Sequence, residues 1–252
     1  MSHDLKQKTK EDYSAISELY ITDFSTDHSH FELIDELIQL QRERRLLLKP
    51  TFDLGCGPAT ITSYLINKGL SNIVAVDITP EFCEYVEEKF KNPPPFVYLQ
   101  VIEGDMVDVV NEALVTHKNC TAAVIAGFSI IHIPDNEVDS LLNSIFKLLC
   151  PGGLFYMSCH EGTHKGMQTE PYSMQNDKRL KTQERLEVYM NYFTESELQK
   201  RIENAGFQIR TLDRREADVM PGEIPVAKLQ VLAEKSLPEK VYTAEASVET
   251  SL

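Results

Sequence analysis

No stretch of this chain runs apolar for the roughly 20 positions that crossing a bilayer requires. Its start, MSHDLKQKTKEDYS, carries charges with no apolar core behind them, so a secretory leader is not expected. Basic residues are scarce: 25 Lys and Arg face 39 Asp and Glu, for a formal net charge of -14. Such a surface repels polyphosphates and anionic lipid, which argues against general nucleic-acid binding and membrane attachment. There is no CxxC pair, and the five cysteines (Cys56, Cys83, Cys120, Cys150, Cys159) are an odd number. Reduced thiols in a cytoplasm are therefore expected rather than a disulfide framework. Cys159 beside His160 is half of a metal site, but zinc wants about four ligands and no second spaced pair supplies them, so no metal is expected. Repeats and low-complexity tracts are missing too, and a hydrophobic content of 42% excludes disorder throughout.

What is present is an alternation of helix and strand patterns. Helical spacing occupies 6–24 and 29–48, the second with Phe31, Ile34, Leu37 and Ile38 on one face, Asp27 or Ser29 as its cap and Pro50 at its end. Strands are expected at TFDL (51–54), NIVAVD (72–77), FVYLQVIE (96–103), CTAAVIAGF (120–128), LFYMSC (154–159), 207–213 and 226–233. Between them lie helices at about 58–68, from Thr79-Pro80, at 106–116, at 135–149 and from Thr194. Thr194 and Glu197 have capping-box spacing. Residues 160–190 break the rhythm: they are polar, carry Gly162, Gly166 and Pro171, and show no core-facing pattern. The alternation specifies an α/β fold, a mostly parallel, doubly wound sheet with helices on both faces. Three regions follow: N-terminal helices over 1–49, a core over 50–234 with the insertion 160–190, and a polar tail over 235–252. The tail ends in Glu249-Thr250-Ser251-Leu252, which has the form of a PDZ-binding end that pairs by strand addition.

Ligands of such sheets sit beyond the carboxyl ends of the strands. The first strand runs into Asp53-Leu54-Gly55-Cys56-Gly57-Pro58, a loop whose glycines permit close backbone approach and which opens a helix N-terminus. The second ends in Asp77, about 20 residues past that loop, where a carboxylate can hydrogen-bond both hydroxyls of a ribose; a solvated turn is the plainer alternative. The third ends in Gly104-Asp105-Met106, where the acid can accept from a purine amine and the thioether can pack on the ring, or where a turn and a core methionine simply follow one another. The fourth delivers Phe128 and Ser129 to the same edge.

These motifs resemble the class I S-adenosylmethionine-dependent methyltransferases, in the branch acting on small molecules. The resemblance covers about 10–233, carried by DLGCGPA (53–59), VAVDIT (74–79), EGDM (103–106), AGFSIIHIP (126–134), LLCPGGLFYMS (148–158) and FTESELQKRIENAGF (193–207). It implies a Rossmann-like sheet of seven strands with the last antiparallel, and S-adenosylmethionine as cofactor. It further implies that Asp53 and the backbone of Gly55, Cys56 and Gly57 hold the methionine end. Asp77 would take the ribose, Ile78 would lie against the adenine, Asp105 and Met106 would contact its amine and ring, and Phe128 would line the sulfonium side. Tyr13 and Tyr20 resemble the aromatic pair of an N-terminal helix folded over the cofactor, though seven-residue spacing also suits a packing stripe. One departure is Ala59 where a third glycine is usual. A nicotinamide dehydrogenase would want glycine where Thr60 stands, which counts against hydride transfer.

The implied reaction is in-line methyl transfer to a small-molecule acceptor, with a base needed only if the attacking atom keeps a proton. Candidates for that role are His132, and His160 with Glu161 at the end of the fifth strand. The insertion, with His164, Tyr172, Lys178, Arg179, Lys181, Arg185 and Tyr189, is placed as a substrate lid whose basic group either clamps an anion or forms a solvated surface. Two other classes fit less well: a non-catalytic module binding the same cofactor, and a nucleotide-dependent oxidoreductase. Acceptor and oligomeric state are not written in the sequence.

Overall fold

The computed structural model describes residues 2–26, 31–182, 184–217 and 224–237. Five strands, β1 (Thr51–Leu54), β2 (Asn72–Asp77), β3 (Tyr98–Glu103), β4 (Thr121–Gly127) and β5 (Leu149–His160), pair in parallel. β1 is wholly buried, and β2 and β4 are buried except at Asn72 and Gly127, so their sequences read as unbroken apolar runs. Strands covered on both faces have this composition. Two further strands, β8 (Gln208–Arg215) and β9 (Lys228–Glu234), complete an order of β3-β2-β1-β4-β5-β9-β8, with β9 antiparallel to both neighbours. The seven-stranded sheet and its reversed last strand are those expected.

Alternation along each strand divides the core between two faces. Val74 and Val76 of β2 and Val124 and Ala126 of β4 join one apolar cluster with α6 (Asp135–Leu148) and α8 (Glu195–Asn204). Ile73, Ala123 and Ile125 point the other way and meet α2 (Glu32–Glu43) and α3 (Thr60–Asn67) through Ile34, Leu37, Ile38 and Leu65. The remaining helices of the sheet are α4 (Pro80–Lys89) and α5 (Met106–His117), and α1 (Ser2–Phe24) lies over the strand ends.

Local signals differ from expectation in places. Residues Asp27 and Ser29 lie outside the described residues, and Phe31 is the residue preceding α2, without a side-chain cap. Thr194 does cap α8, accepting from the Glu197 N–H at 3.2 Å. The Glu197 carboxylate, however, reaches Lys165 and Arg201, so the reciprocal half of the capping box is missing. The insertion is built rather than patternless. β6 (Lys165–Thr169) and β7 (Glu187–Asn191) form an antiparallel pair, and a turn of helix, α7 (Pro171–Met174), lies between them. In β7 every residue after Glu187 is buried, because α1 covers one side and the 3-10 turn Ile130–His132 the other. The tail's last residues lie outside the described ones. No helix of the described residues is long and apolar enough to cross a membrane.

Candidate functional site

The loop after β1 is fastened to its neighbours by backbone. The Gly55 and Cys56 N–H groups both donate to the Val76 carbonyl, at 2.7 and 2.9 Å. Gly55 has φ +71°, and a Cβ placed there would stand 2.3 Å from Cβ of Ser129, whose hydroxyl donates to the Leu54 carbonyl at 2.5 Å. Gly57 differs: its φ is +47°, and a Cβ would meet nothing within 4 Å. Its N–H donates to Oδ2 of Asp77 at 2.8 Å, while Oδ1 of Asp77 accepts from the Thr79 N–H at 2.9 Å. Asp77 is therefore a carboxylate clamped by backbone at the end of β2, only 7% exposed. Burial pushes its pKa up against the pull of those N–H groups.

These loops frame a cavity of about 310 Å³ beyond the carboxyl ends of the strands. Of the residues singled out in the sequence, Tyr13, Tyr20, Gly55, Cys56, Gly57, Asp77, Ile78, Asp105, Met106, Phe128, His132 and His160 all line it. Asp53 and Glu161 are not among its lining residues. Asp53 is 1% exposed beneath the loop, where Oδ2 accepts from the Thr62 hydroxyl at 2.6 Å and Oδ1 has no hydrogen-bond partner among the described residues. Burial raises its carboxyl to about 7. Glu161 turns away to pair with Arg214 at 2.7 Å.

Asp105 has two local duties. It caps α5 by accepting from the Val107 N–H at 2.9 Å, and it pairs with Lys6 of α1 at 2.6 Å. Phe128 sits in the left-handed region, φ +50°, a conformation that costs a non-glycine residue on the order of 1–3 kcal/mol. Its N–H is held by the Ser158 hydroxyl at 3.0 Å, and its ring lies 5.2 Å from that of His160.

His132 is fixed in one tautomer by its partners. Nδ1 lies 2.9 Å from the Tyr189 carbonyl, which only accepts, so Nδ1 carries the proton. Nε2, 3.0 Å from the Tyr13 hydroxyl, then accepts from it. Burial lowers the His132 pKa to about 4, so the ring is neutral near pH 7. The contact joins α1, the 3-10 turn and β7 at one point.

Three of the insertion's basic residues are engaged by groups of the chain itself. Arg179 pairs with Asp23 of α1 and with Asp177, Lys181 with Glu18 of α1, and the Arg185 Nε donates to the Thr169 hydroxyl. Among the described residues of 178–185, none lines the cavity. Sequence reasoning missed Lys6, Arg215, Lys228 and Gln230, all of which do. Lys228 had one signal available: it is a charge at the head of a strand that is buried up to Ala233. Among the described residues, no group of three or more His, Cys, Asp or Glu could hold a metal ion.

Residues 52–153 match the family model of a methyltransferase domain. A carboxy-S-adenosyl-L-methionine synthase of Klebsiella pneumoniae is 31% identical over 116 residues, and the chain covers 42% of the length of that relative, as the match covers 42% of this chain. Among solved structures, the 1,6-didemethyltoxoflavin-N1-methyltransferase of Burkholderia thailandensis, with 1,6-didemethyltoxoflavin and S-adenosylhomocysteine bound, superposes with a TM-score of 0.61 at 17% identity over 94% of this chain and 91% of that one. The [4+2]-cyclase SpnF superposes with a TM-score of 0.60 at 13% identity over 91% of this chain and 95% of that one.

Proposed function

We propose that this chain is a class I S-adenosylmethionine-dependent methyltransferase that moves a methyl group onto a small-molecule acceptor, a reading supported by the methyltransferase-domain match over residues 52–153. Fold alone does not select the reaction, since a cyclase shares it. The observation that carries the reading is the clamped Asp77 carboxylate at the cavity wall, with open space beside it at Gly57. Two backbone N–H groups fix its oxygens yet leave lone pairs for further donors, which suits the two hydroxyls of a ribose. Ile78, Phe82 and Met106 give the same wall an apolar surface for a flat ring. The residues present therefore fit the cofactor.

S-adenosylmethionine, when bound, supplies a methyl activated on a sulfonium, so the chain need not build a nucleophile. Its residues act by holding and enclosing. Gly55, Cys56 and Gly57 offer backbone to the methionine end, and Asp53 supports that loop from beneath instead of touching the ligand. Tyr13 and Tyr20 on α1 roof the cavity and exclude water. His132 spends both ring nitrogens on Tyr13 and Tyr189, so it braces the roof and removes no proton while that contact stands. The insertion closes the acceptor side as a lid. A small acceptor fits the acidic surface, and the free cysteines fit a reducing compartment such as the cytoplasm.

Isothermal titration of the purified protein with S-adenosylhomocysteine tests this. Binding is expected, and Asp77→Ala should weaken it by about tenfold or more through the lost charge-assisted hydrogen bonds. Absence of heat with both S-adenosylhomocysteine and S-adenosylmethionine overturns the reading. Binding with no transfer of an isotopically labelled methyl to any component of a metabolite extract leaves the non-catalytic module in its place.

A further inference from the structure

α1 turns one stripe of side chains toward the cavity. Lys6, Thr9, Tyr13, Tyr20 and Phe24 all line it, at spacings that keep a single helical face. Lys6 is the charge of that stripe, and it stands over the end of β3. Its Nζ lies 2.6 Å from Oδ2 of Asp105 and 2.5 Å from Oε2 of Glu137 on α6, with the side chain only 12% exposed. Lys10, one turn further along α1, pairs instead with Glu103 in a more exposed position and does not line the cavity.

An ammonium carries three N–H donors. Two of those on Lys6 go to the carboxylates, and among the described residues the third meets no acceptor. Charge is not what remains to be satisfied there, because one cation between two carboxylates is already matched. A further anion gains little from such a group, whereas a neutral acceptor completes it. Ile78 and Met106 line the same corner, as an apolar wall for a flat ring. A ring laid against that wall takes water away from the third N–H, and a buried donor left unmade is costly. The ring that fits is therefore one that brings an acceptor of its own.

Asp105 and Lys6 together offer an acceptor beside a donor. Oδ1 of Asp105 accepts from the Val107 N–H at 2.9 Å and Oδ2 from Lys6, and a carboxylate oxygen so engaged still has a lone pair to give. Adenine carries the complementary pair: its exocyclic amine donates, and the ring nitrogen next to it, N1 on one side or N7 on the other, accepts. Hypoxanthine, with a carbonyl in place of the amine, loses the match to Asp105.

We infer that Lys6 donates its third N–H to the ring nitrogen beside the adenine amine, so that α1 reads the base of the cofactor as well as roofing the cavity. This rests on the methyltransferase reading and adds a specificity-determining residue on the covering helix.

The test is calorimetric titration of the full chain with S-adenosylhomocysteine and with its 1-deaza and 7-deaza forms, in which CH replaces one ring nitrogen. One of the two analogues should bind about tenfold or more weaker, as expected for a lost hydrogen bond to a charged donor. Lys6→Met should weaken S-adenosylhomocysteine by a similar factor and leave that analogue's affinity unchanged, which abolishes the discrimination. Lys6→Gln, whose amide stops short of the ring yet still offers Asp105 a donor should methionine unfold α1, should abolish it as well. Ser14→Ala removes a different contact of α1, the one to Glu81, and should lower all three affinities alike. Discrimination that also collapses in Ser14→Ala would assign the effect to a loosened helix and overturn the inference. If S-adenosylhomocysteine binds but the parent discriminates against neither analogue, or if the Lys6 variants keep the discrimination because a backbone N–H reads the nitrogen, the inference falls and the methyltransferase reading stands. If S-adenosylhomocysteine does not bind, both fall together.

Discussion

Gly55 and Gly57 sit two residues apart in one loop, yet the structure needs them for different reasons. At Gly55 a methyl would overlap Ser129 and the backbone is left-handed, so Gly55→Ala should cost about 2 kcal/mol or more in urea denaturation. Gly55→Ala with Ser129→Gly should recover the overlap but not the roughly 1 kcal/mol of backbone strain. Gly57→Ala should cost only that backbone part, because its methyl enters open space, but it should weaken S-adenosylhomocysteine about tenfold by occupying the ligand's approach. Equal stability losses at the two positions would reject this division. Buried titratable groups give a second residue-scale prediction. Asp53 is raised to about 7 from 3.8, so below 3.8 its contribution is intact, and it is lost as pH rises toward 7 while the unfolded chain alone releases the proton. His132 is lowered to about 4 from 6.5 and acts in the opposite sense, destabilising as pH falls below 6.5. Asp53→Asn removes the first effect only. Relative to the parent it should gain about 1.4 kcal/mol per pH unit between about pH 4 and about pH 7, and a pH-independent difference in urea midpoints would show that Asp53 is ionised in the fold. The sequence made these residues legible as a strand-end set, since strand ends converge in a doubly wound sheet. It could not separate Asp53 from Asp77, because depth beneath a loop is set by Thr62 and the helix that carries it. Lys228 follows from a fold-level property instead: the reversal of the last strand, itself expected from the resemblance, brings the start of β9 to the edge where other strands finish.

At the scale of elements, strands buried on both faces and the helices between them follow from composition, and these were readable. β7 was not, because Val188 to Asn191 are buried consecutively and show no period of two. Such a run cannot be told from loop or helix without knowing that α1 and the 3-10 turn press on opposite sides. α1 is secured by a small apolar cluster, Ile16, Leu19, Tyr20 and Phe24 with Tyr172 and Leu186, and by polar contacts: Lys6 to Asp105 and Glu137, Ser14 to Glu81, Tyr13 to His132, Asp12 to the Glu187 N–H, and Asp23 to Arg179. That cluster is smaller than the two apolar layers flanking the sheet, and partly exposed ion pairs add about 0–1 kcal/mol each, so α1 is held less firmly than those layers and is suited to open and close. Hydrogen exchange should therefore find α1 amides opening well before those of β1, β2 and β4. Saturating S-adenosylhomocysteine should slow exchange in α1 by about tenfold or more along with the loop 55–59, because closure over the ligand couples the two. Protection of the loop without protection of α1 would leave the helix a structural ornament and remove its covering role.

For the whole molecule, the charge of -14 sets the partners and the fold sets the readout. Most of the acid lies on the surface, where it disfavours polyanions, while the cavity mixes the signs: Lys6 meets Asp105 near one end, and Arg215, Glu216 and Lys228 line the other. A ligand gripping loops from β1, β2 and β3 and the overlying α1 engages most of the fold at once, so its binding energy enters global stability. At about 100 times its dissociation constant a ligand adds about 2.7 kcal/mol, and for a chain of this size each kcal/mol moves Tm by about 2–4 °C. S-adenosylhomocysteine should thus raise Tm by about 5–10 °C at that excess. NAD should leave it unchanged, because Ala59 and Thr60 follow Gly57 where the dinucleotide loop wants its third glycine. Asp77→Ala should lose most of the shift at the same ligand concentration, and its own unliganded Tm should fall by several degrees because the Gly57 and Thr79 N–H groups lose their acceptor. A shift with NAD and none with S-adenosylhomocysteine would transfer the site to the hydride-transfer class, and with it the meaning of Asp77, whose ribose contact both cofactors would share.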